Sequence, residues 1–402
     1  MGGPGANPNP FEGLPFFGDL AKMLSSSGPV HWDAARQFAL TLATGGQSEA
    51  NPDPLERIRL EELARVAELR LASVPGLPPA TGRLLRVAAV TRGDWALRTL
   101  DAYRPYFERL SGALDQDDEP APTGDERGMQ PSDVPAVPEG DPAALLGGMF
   151  AMLTPLLLGL QAGSMVGHLA TRALGQYDLP LPRPPSDDLV LVPANLDALT
   201  EGWSLPPDDV RLWVCLTELA TAAVLEVPHV RSRLDELVLG YVGAFRSDAS
   251  ALESRFGELE LGDASDLQSL LGNPAELLGA LRSPAQDALL PPLEALVAVL
   301  VGAVDAAVDA VADDLLADPG RLREALHRRR VEASPADKLV EQLLGLELGA
   351  SAYERGEAFV RGVRERGGDA GLSPLWSSAS ALPTPAEVDA PGLWLARLEY
   401  DT

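Results

Sequence analysis

The side chains that could do chemistry in this chain are few and scattered. There is one cysteine, Cys215, and there are four histidines: His31, His168, His229 and His327. The sequence contains no glycine-rich phosphate loop, no G-x-S-x-G nucleophile elbow and no Cys-x-x-Cys pair. A histidine-rich metal site would need two or three of the histidines to converge, and nothing in their spacing requires that.

The most informative carboxylate is Glu218, which lies in a largely apolar run predicted to be a helix from about Pro207 to Glu226. Thr217 and Thr221 are four residues apart and therefore share one face of that helix. Two imidazoles at those positions would converge on one Zn²⁺, and the glutamate between them would polarise a metal-bound water. Threonine hydroxyls are poor zinc ligands, so this face is not predicted to hold the metal.

Helical periodicity dominates the chain and predicts a mainly α fold. Helices are predicted from His31, from Pro54 with Asp53 as its cap, and from Asp94. Residues 291–316 form a long, mostly apolar run, and further helices are predicted through residues 319–330 and 335–348. A short apolar run near residues 188–193 predicts a strand, and residues 375–402 are predicted to form an irregular closing segment.

Composition divides the chain into four stretches. Residues 1–20, rich in Gly, Pro and Asn, are predicted to be a flexible tail, and residues 21–114 a helical N-terminal region. Residues 115–142 are acidic and rich in proline, which predicts a disordered linker or a long exposed loop. Residues 143–402 are predicted to be a second helical domain.

The charge balance limits the classes of partner. The chain has 59 acidic and 32 basic residues, a net charge of −27. Such a protein lacks the broad basic face that nucleic acids and anionic membranes require. A single cysteine cannot form an internal disulfide, and no secretory signal is found, so a cytoplasmic location is predicted. The basic run His327–Arg330 is interpreted as solvated charge at a helix end, with docking of an acidic segment as the alternative.

The segment between Asp141 and Arg172 contains no charged residue and is long enough to span a membrane. Pro155 interrupts it, and no cluster of positive residues flanks it. Gly159, Gly163 and Gly167 recur every four residues and form a smooth ridge for close helix packing. A buried core helix is therefore predicted, without a membrane span; the alternative is membrane association through residues 143–167.

Five blocks of sequence, in a fixed order, resemble one known family. They are GPVHWDAARQFA, QAGSMVGHLATRALGQYDLPLP, PPDDVRLWVCLTELATAAVLEVPHVRSRL, LREALHRRRVEASPADKLVEQLLGLEL and LPTPAEVDAPGLWL. Together they cover most of residues 20 to 395. The family is that of zinc-dependent metalloprotease-like hydrolases. The resemblance implies a zincin-like, mostly helical fold in residues 143–402, with one short strand or small sheet beside the motif helix.

The resemblance also assigns roles to particular positions. The two histidines of the family's HExxH motif fall on Thr217 and Thr221, and its catalytic glutamate falls on Glu218, so the motif is degenerate. A downstream L-E-G of the family aligns with Leu300-Val301-Gly302, so that Val301 replaces a third metal ligand. No metal ligand and no cofactor are therefore expected here.

These roles predict a pseudo-peptidase that has lost its zinc site and acts by binding a peptide or a protein. The alternative is an active metallohydrolase with non-standard ligands, in which Glu218 would be joined by His168, His229 or an acidic residue. His168 is otherwise interpreted as a core histidine and His229 as a packing residue at the helix exit. The hydroxyls of Thr217 and Thr221 are expected to bond to carbonyls of their own helix.

Overall fold

The computed structural model describes residues 28–78, 86–115, 142–245, 283–331, 335–346 and 348–400. Within these residues there are thirteen α-helices and one small sheet, which confirms the prediction of a mainly α fold. The predicted tail, residues 1–20, and residues 116–141 of the predicted linker lie outside the described residues. The helices are α1 Trp32–Thr44, α2 Pro54–Leu71, α3 Arg92–Asp115, α4 Pro142–Ala170, α5 Pro193–Trp203, α6 Pro207–Leu225, α7 Pro228–Gly243, α8 Pro284–Leu315, α9 Pro319–Val331, α10 Pro335–Leu344, α11 Ala350–Gly367, α12 Pro385–Asp389 and α13 Pro391–Tyr400.

Helices α1 and α4 pack at very short range along the predicted glycine ridge. A Cβ atom added to Gly159 would lie 2.4 Å from the carbonyl oxygen of His31, and one added to Gly163 would lie 2.4 Å from that of Ala35. At Gly167 the added atom would lie 2.8 Å from Leu42. The ridge therefore serves close packing between two helices within the protein.

Replacing Gly163 with alanine is expected to destabilise the protein by about 1–3 kcal/mol, because the new methyl group would overlap backbone that cannot move freely. Gly202, in α5, is the matched control, since nothing lies within 4 Å of an added Cβ there. Gly202→Ala should leave stability unchanged or raise it by up to about 1 kcal/mol through helix propensity. Urea unfolding of both variants measures the difference. Equal effects would contradict this account of the ridge.

The motif helix α6 is close to its predicted bounds and lies at the centre of the fold. It packs against α2, α5 and α8, and all residues from Val210 to Leu216 are buried. A helix that is apolar on all sides is typical of such a central position. Its position fixes Glu218 inside the protein and away from its surface.

The sheet pairs β1 (Arg86–Ala89) in parallel with β2 (Asp188–Leu191). The second strand was predicted and the first was not. The chain just before β2 is tied back onto this strand: the N–H of Val192 donates to the carbonyl of Leu174 at 3.0 Å. The N–H of Val190 also donates to the side chain of Gln176 at 3.2 Å. These bonds place residues 175–178 over the motif helix.

The C-terminal segment is more regular than predicted. Two helices, α12 and α13, stand where residues 375–402 were expected to be irregular. Each helix has a proline in its first turn, where the missing N–H is not needed. The segment also contacts the N-terminal region just after α2, because the indole N–H of Trp376 donates to the carbonyl of Gly76 at 2.6 Å.

Helix α8 is the longest described helix and packs against α6, α7 and α11. Gly302 on α8 lies opposite Gly356 on α11, and a Cβ on Gly356 would lie 2.1 Å from the carbonyl oxygen of Ala298. Among the described residues, α8 is the one helix that is long and apolar enough to cross a membrane. However, 78 % of its 18-residue apolar stretch is buried inside the protein. No clear membrane span is therefore indicated in the described part of the chain.

Candidate functional site

The two threonines of the motif helix are bonded to their own helix. The hydroxyl of Thr217 donates to the carbonyl of Trp213 at 3.1 Å, and that of Thr221 donates to the carbonyl of Thr217 at 2.8 Å. This confirms the bonding predicted from the sequence. Each hydroxyl hydrogen is therefore used within α6, and the two side chains do not act together on any other group.

Glu218 is almost fully buried, with 4 % of its surface exposed, and is held by the loop that precedes β2. The backbone N–H of Tyr177 donates to its two carboxyl oxygens at 3.0 and 3.3 Å. The loop approaches so closely that a Cβ on Gly175 would lie 2.3 Å from the Glu218 carboxyl carbon. A residue without a side chain is needed at position 175 for this contact to form.

Burial changes the ionisation of the groups around this contact. Burial raises the pKa of Glu218 to about 8, although the N–H of Tyr177 and the charge of Arg183 favour the ionised form. Burial and the nearby Glu218 raise the pKa of the Tyr177 phenol to about 12. Cys215, one turn before, is fully buried, and burial raises the pKa of its thiol to about 12. A thiol of this kind is not a nucleophile at neutral pH.

Glu218 faces a cavity of about 120 Å³, which we call the Glu218 cavity. Thr217 and Thr221 contribute to its wall, and so does Val301 from α8, the position aligned with a third metal ligand. The three positions singled out by the resemblance therefore surround one cavity. Its apolar wall includes Leu174, Trp213, Leu300, Val304 and Leu326.

Two arginines of the basic run in α9 line the Glu218 cavity, which corrects the prediction that this run is solvated. Of the four residues in the run, only His327 and Arg328 are exposed. Arg329 forms an ion pair with the buried Asp178 at 3.6 Å, and Arg330 binds both oxygens of Asp305 at 2.9 and 3.1 Å. Arg330 also stacks over the ring of Tyr353 at 4.5 Å.

Burial lowers the pKa of Arg329, and Asp178 opposes this effect. Burial acts in the same direction on Arg330, but the close Asp305 outweighs it and raises the pKa of that guanidinium. Both arginines therefore line the Glu218 cavity as members of ion pairs, with Asp178 and with Asp305. The sequence contains one signal for the burial of Arg329. This residue lies on the same helical face as the buried Leu322, Ala325 and Leu326.

The histidines do not converge on Glu218. His168 is exposed, so its interpretation as a core histidine was wrong, although the residues on both sides of it are buried. His229 forms a hydrogen bond of 2.9 Å between its Nε2 and the carbonyl of Leu375, in agreement with a packing role. His31 accepts the N–H of Ala34 at the start of α1, and His327 is exposed.

The residues around Glu218 do not fit the zinc ion implied by the resemblance. In the described ranges, no group of three or more His, Cys, Asp or Glu side chains is placed to hold a metal ion. The two motif positions carry hydroxyls bonded to α6, and the third position is the aliphatic Val301. Zinc prefers imidazole, thiolate and carboxylate ligands. The aspartates that line the same cavity are engaged by arginines, Asp178 by Arg329 and Asp305 by Arg330.

Two larger cavities flank the Glu218 cavity. The first, of about 490 Å³, is lined by Arg98, Arg183 and Arg231, and we call it the arginine cavity; it shares Tyr177 and Leu225 with the Glu218 cavity. The second, of about 470 Å³, is lined by residues of α8, α9 and α11, and we call it the α11 cavity. It shares five residues with the Glu218 cavity: Trp213, Asp305, Leu326, Arg330 and Tyr353.

Comparisons with known proteins give two findings and one negative result. A family described as zincin-like metallopeptidase matches residues 30–395 of this chain. A crystal structure from Chloroflexus aurantiacus, described as having a novel fold and a suggested hydrolase function, is similar with a TM-score of 0.57 and 22 % identity. The match covers 92 % of this chain and 99 % of that one, and at this identity it shows the fold alone. Curated proteins give no match.

Proposed function

The chain belongs to the zincin-like metallopeptidase family, and from this premise we propose that it is a pseudo-peptidase, which binds a peptide without cutting it. The proposed site is the Glu218 cavity, and the ligand is a peptide segment, either free or within a partner protein. One observation carries this proposal. The helix face that should present two imidazoles presents Thr217 and Thr221, whose hydroxyls are bonded to carbonyls of α6.

Loss of the metal removes the chemistry that Glu218 would otherwise assist. The role implied for this glutamate is to polarise a zinc-bound water, and without the metal its carboxyl group has no such water to act on. The carboxyl group is instead bonded to the N–H of Tyr177. Glu218 is thus proposed to be a structural remnant that shapes the cavity floor.

The arrangement of three adjoining cavities supports an extended ligand. The Glu218 cavity has a volume suited to a single side chain, and larger cavities adjoin it on both sides. The dividing walls are side chains, with Tyr177 on one side and Tyr353 and Arg330 on the other. A peptide placed across them would find apolar surface together with guanidinium groups that donate to carbonyl oxygens.

Composition restricts the setting of this proposed activity. The net charge of −27 argues against nucleic acids as partners. The only cysteine is buried and reduced, so the described fold does not depend on an oxidising compartment. We therefore place the proposed peptide binding in the cytoplasm.

Replacing Thr217 with phenylalanine is expected to weaken peptide binding about tenfold or more, because a ring at this half-buried position would fill the Glu218 cavity. The measurement is the fluorescence anisotropy of a labelled pool of short random peptides. Thr41→Phe is the matched control, since Thr41 is an exposed helical threonine that bonds back to its own helix in the same way.

The same peptide pool, carrying a fluorophore and a quencher, tests the alternative of an active metallohydrolase. With zinc added, we expect no hydrolysis above that of a heat-denatured sample. Zinc-dependent hydrolysis that is abolished in Glu218→Gln would overturn the pseudo-peptidase proposal. Absence of saturable peptide binding by the unaltered protein would overturn the peptide-binding part.

A further inference from the structure

The arginine cavity brings three guanidinium groups together in a strongly acidic protein. Arg98 comes from α3, Arg183 from the segment before β2, and Arg231 from the first turns of α7. The cavity has a volume of about 490 Å³, which exceeds that of the Glu218 cavity. Since the chain has 27 more acidic than basic residues, a local group of arginines calls for a physical explanation.

Arg183 is held in place, and one of its N–H donors has no partner in the described part of the chain. Its Nη2 donates to the hydroxyl of Thr99 at 2.8 Å, and its guanidinium lies 5.8 Å from the ring centre of Trp95 and 5.5 Å from that of Tyr103. Its buried Nε has no hydrogen-bond partner in the described part of the chain. A buried donor left without an acceptor costs about 1–3 kcal/mol, so a ligand that completes the set would gain free energy.

The neighbouring carboxylates leave positive charge on this cavity. Arg98 is paired with Asp188 at 3.0 Å, but the ion pairs within the described ranges include neither Arg183 nor Arg231. Arg231 donates instead to the backbone carbonyl of Arg183, which holds the Arg231 side chain against the segment that carries Arg183.

Two acidic residues also line the cavity. Asp101 is paired with Arg36 at 2.8 Å, so its charge is largely balanced. Glu226 also lies in the wall and takes part in an interaction of its own.

We propose that the arginine cavity is a binding site for a small oxyanion, a phosphate or carboxylate group, held by Arg183 and Arg231. Guanidinium groups present paired N–H donors that match the oxygens of both anions, and such charge-assisted bonds are stronger than neutral ones. Stacking on Trp95 and Tyr103 keeps the Arg183 guanidinium in position before the ligand arrives. The inference does not depend on peptide binding in the Glu218 cavity.

The test uses the full-length protein with inorganic phosphate and with acetate as separate probes. Each probe is titrated while the side-chain Nε–H resonance of Arg183 is followed by NMR; the resonance is assigned by its absence in Arg183→Lys. We expect a saturable shift with at least one probe. The probe that binds more tightly identifies the ligand as phosphate-bearing or carboxylate-bearing.

Variants of α7 connect the binding to this cavity. Arg231→Gln should weaken it about tenfold, the effect of losing one charge-assisted hydrogen bond. Arg233→Gln, an exposed residue paired with Glu236 at 2.8 Å on the same helix, should leave binding unchanged. The proposal is wrong if neither probe gives a saturable shift, or if Arg231→Gln and Arg233→Gln have equal effects in folded protein.

Discussion

Replacing Thr217 and Thr221 with histidine and Val301 with glutamate is expected to create a protein that retains about one zinc ion after dialysis, whereas the unaltered chain retains almost none. Elemental analysis of the dialysed proteins measures the difference. The expectation follows from geometry, because the two helix positions lie one turn apart and all three positions line one cavity. Three protein ligands are what an open zinc site requires.

The size of this effect reflects how sharply zinc affinity depends on ligand type. A complete protein site is worth about 10–16 kcal/mol of apparent zinc binding, and that value comes from several ligands acting together. The unaltered chain offers hydroxyls and an aliphatic side chain at these positions.

A matched variant separates ligand chemistry from changes in volume. Glutamine at positions 217 and 221, together with glutamate at 301, gives side chains of similar size without imidazole nitrogen, and this protein should retain little zinc. One result would contradict the whole interpretation of the site: near-stoichiometric zinc in the unaltered protein that is lost on Glu218→Ala. In that case the ligands would have to be sought elsewhere in the chain.

Between about pH 4.5 and pH 8, the free energy of unfolding of the native sequence is expected to fall relative to that of Glu218→Gln. Burial raises the pKa of Glu218 from 4.5 to about 8 in the folded protein. In this window the folded state keeps a proton that the unfolded state releases, so each rise in pH favours unfolding. The stabilising contribution is complete below pH 4.5 and is lost as the pH passes 8.

The expected slope is about 1 kcal/mol per pH unit, which amounts to several kcal/mol across the window. Denaturant unfolding at a series of pH values measures it as the difference between the two proteins. Glu201→Gln, at an exposed glutamate of α5, serves as the control and should run parallel to the native sequence. Parallel curves for Glu218→Gln as well would show that the carboxyl group is ionised in the folded protein throughout.

Much of the helical framework could be predicted from the sequence because its signals are local. Asp53 caps α2 as expected, with its side chain accepting the N–H of Leu55 at 2.9 Å. The ridge of Gly159 and Gly163 predicted close helix packing, which the structure confirms against α1. The first strand was missed, since its four residues acquire their structure by pairing with a segment about 100 residues away.

The candidate site was predicted only in part, because its walls come from segments far apart in the chain. The positions on α6 followed from the motif, but the contact between Gly175 and Glu218 depends on a loop whose path the sequence does not reveal. His168 illustrates the same limit. Its apolar neighbours predicted burial, yet one position on a buried helix still faces solvent. Arg329 is the opposite case: its charge predicted exposure, yet it lies on a buried helical face and pairs with Asp178.

The hydrogen bond from Trp376 to the carbonyl of Gly76 has a consequence for the synthesis of the protein. The two residues are 300 positions apart, so the ribosome must add 300 residues after Gly76 before they can meet. The same segment accepts a bond from His229 through Leu375, and it therefore joins early, middle and late parts of the polypeptide. Contacts of such high sequence separation slow folding. The nascent chain consequently leaves the ribosome with these surfaces uncovered, and during that interval it is most exposed to aggregation and to chaperones.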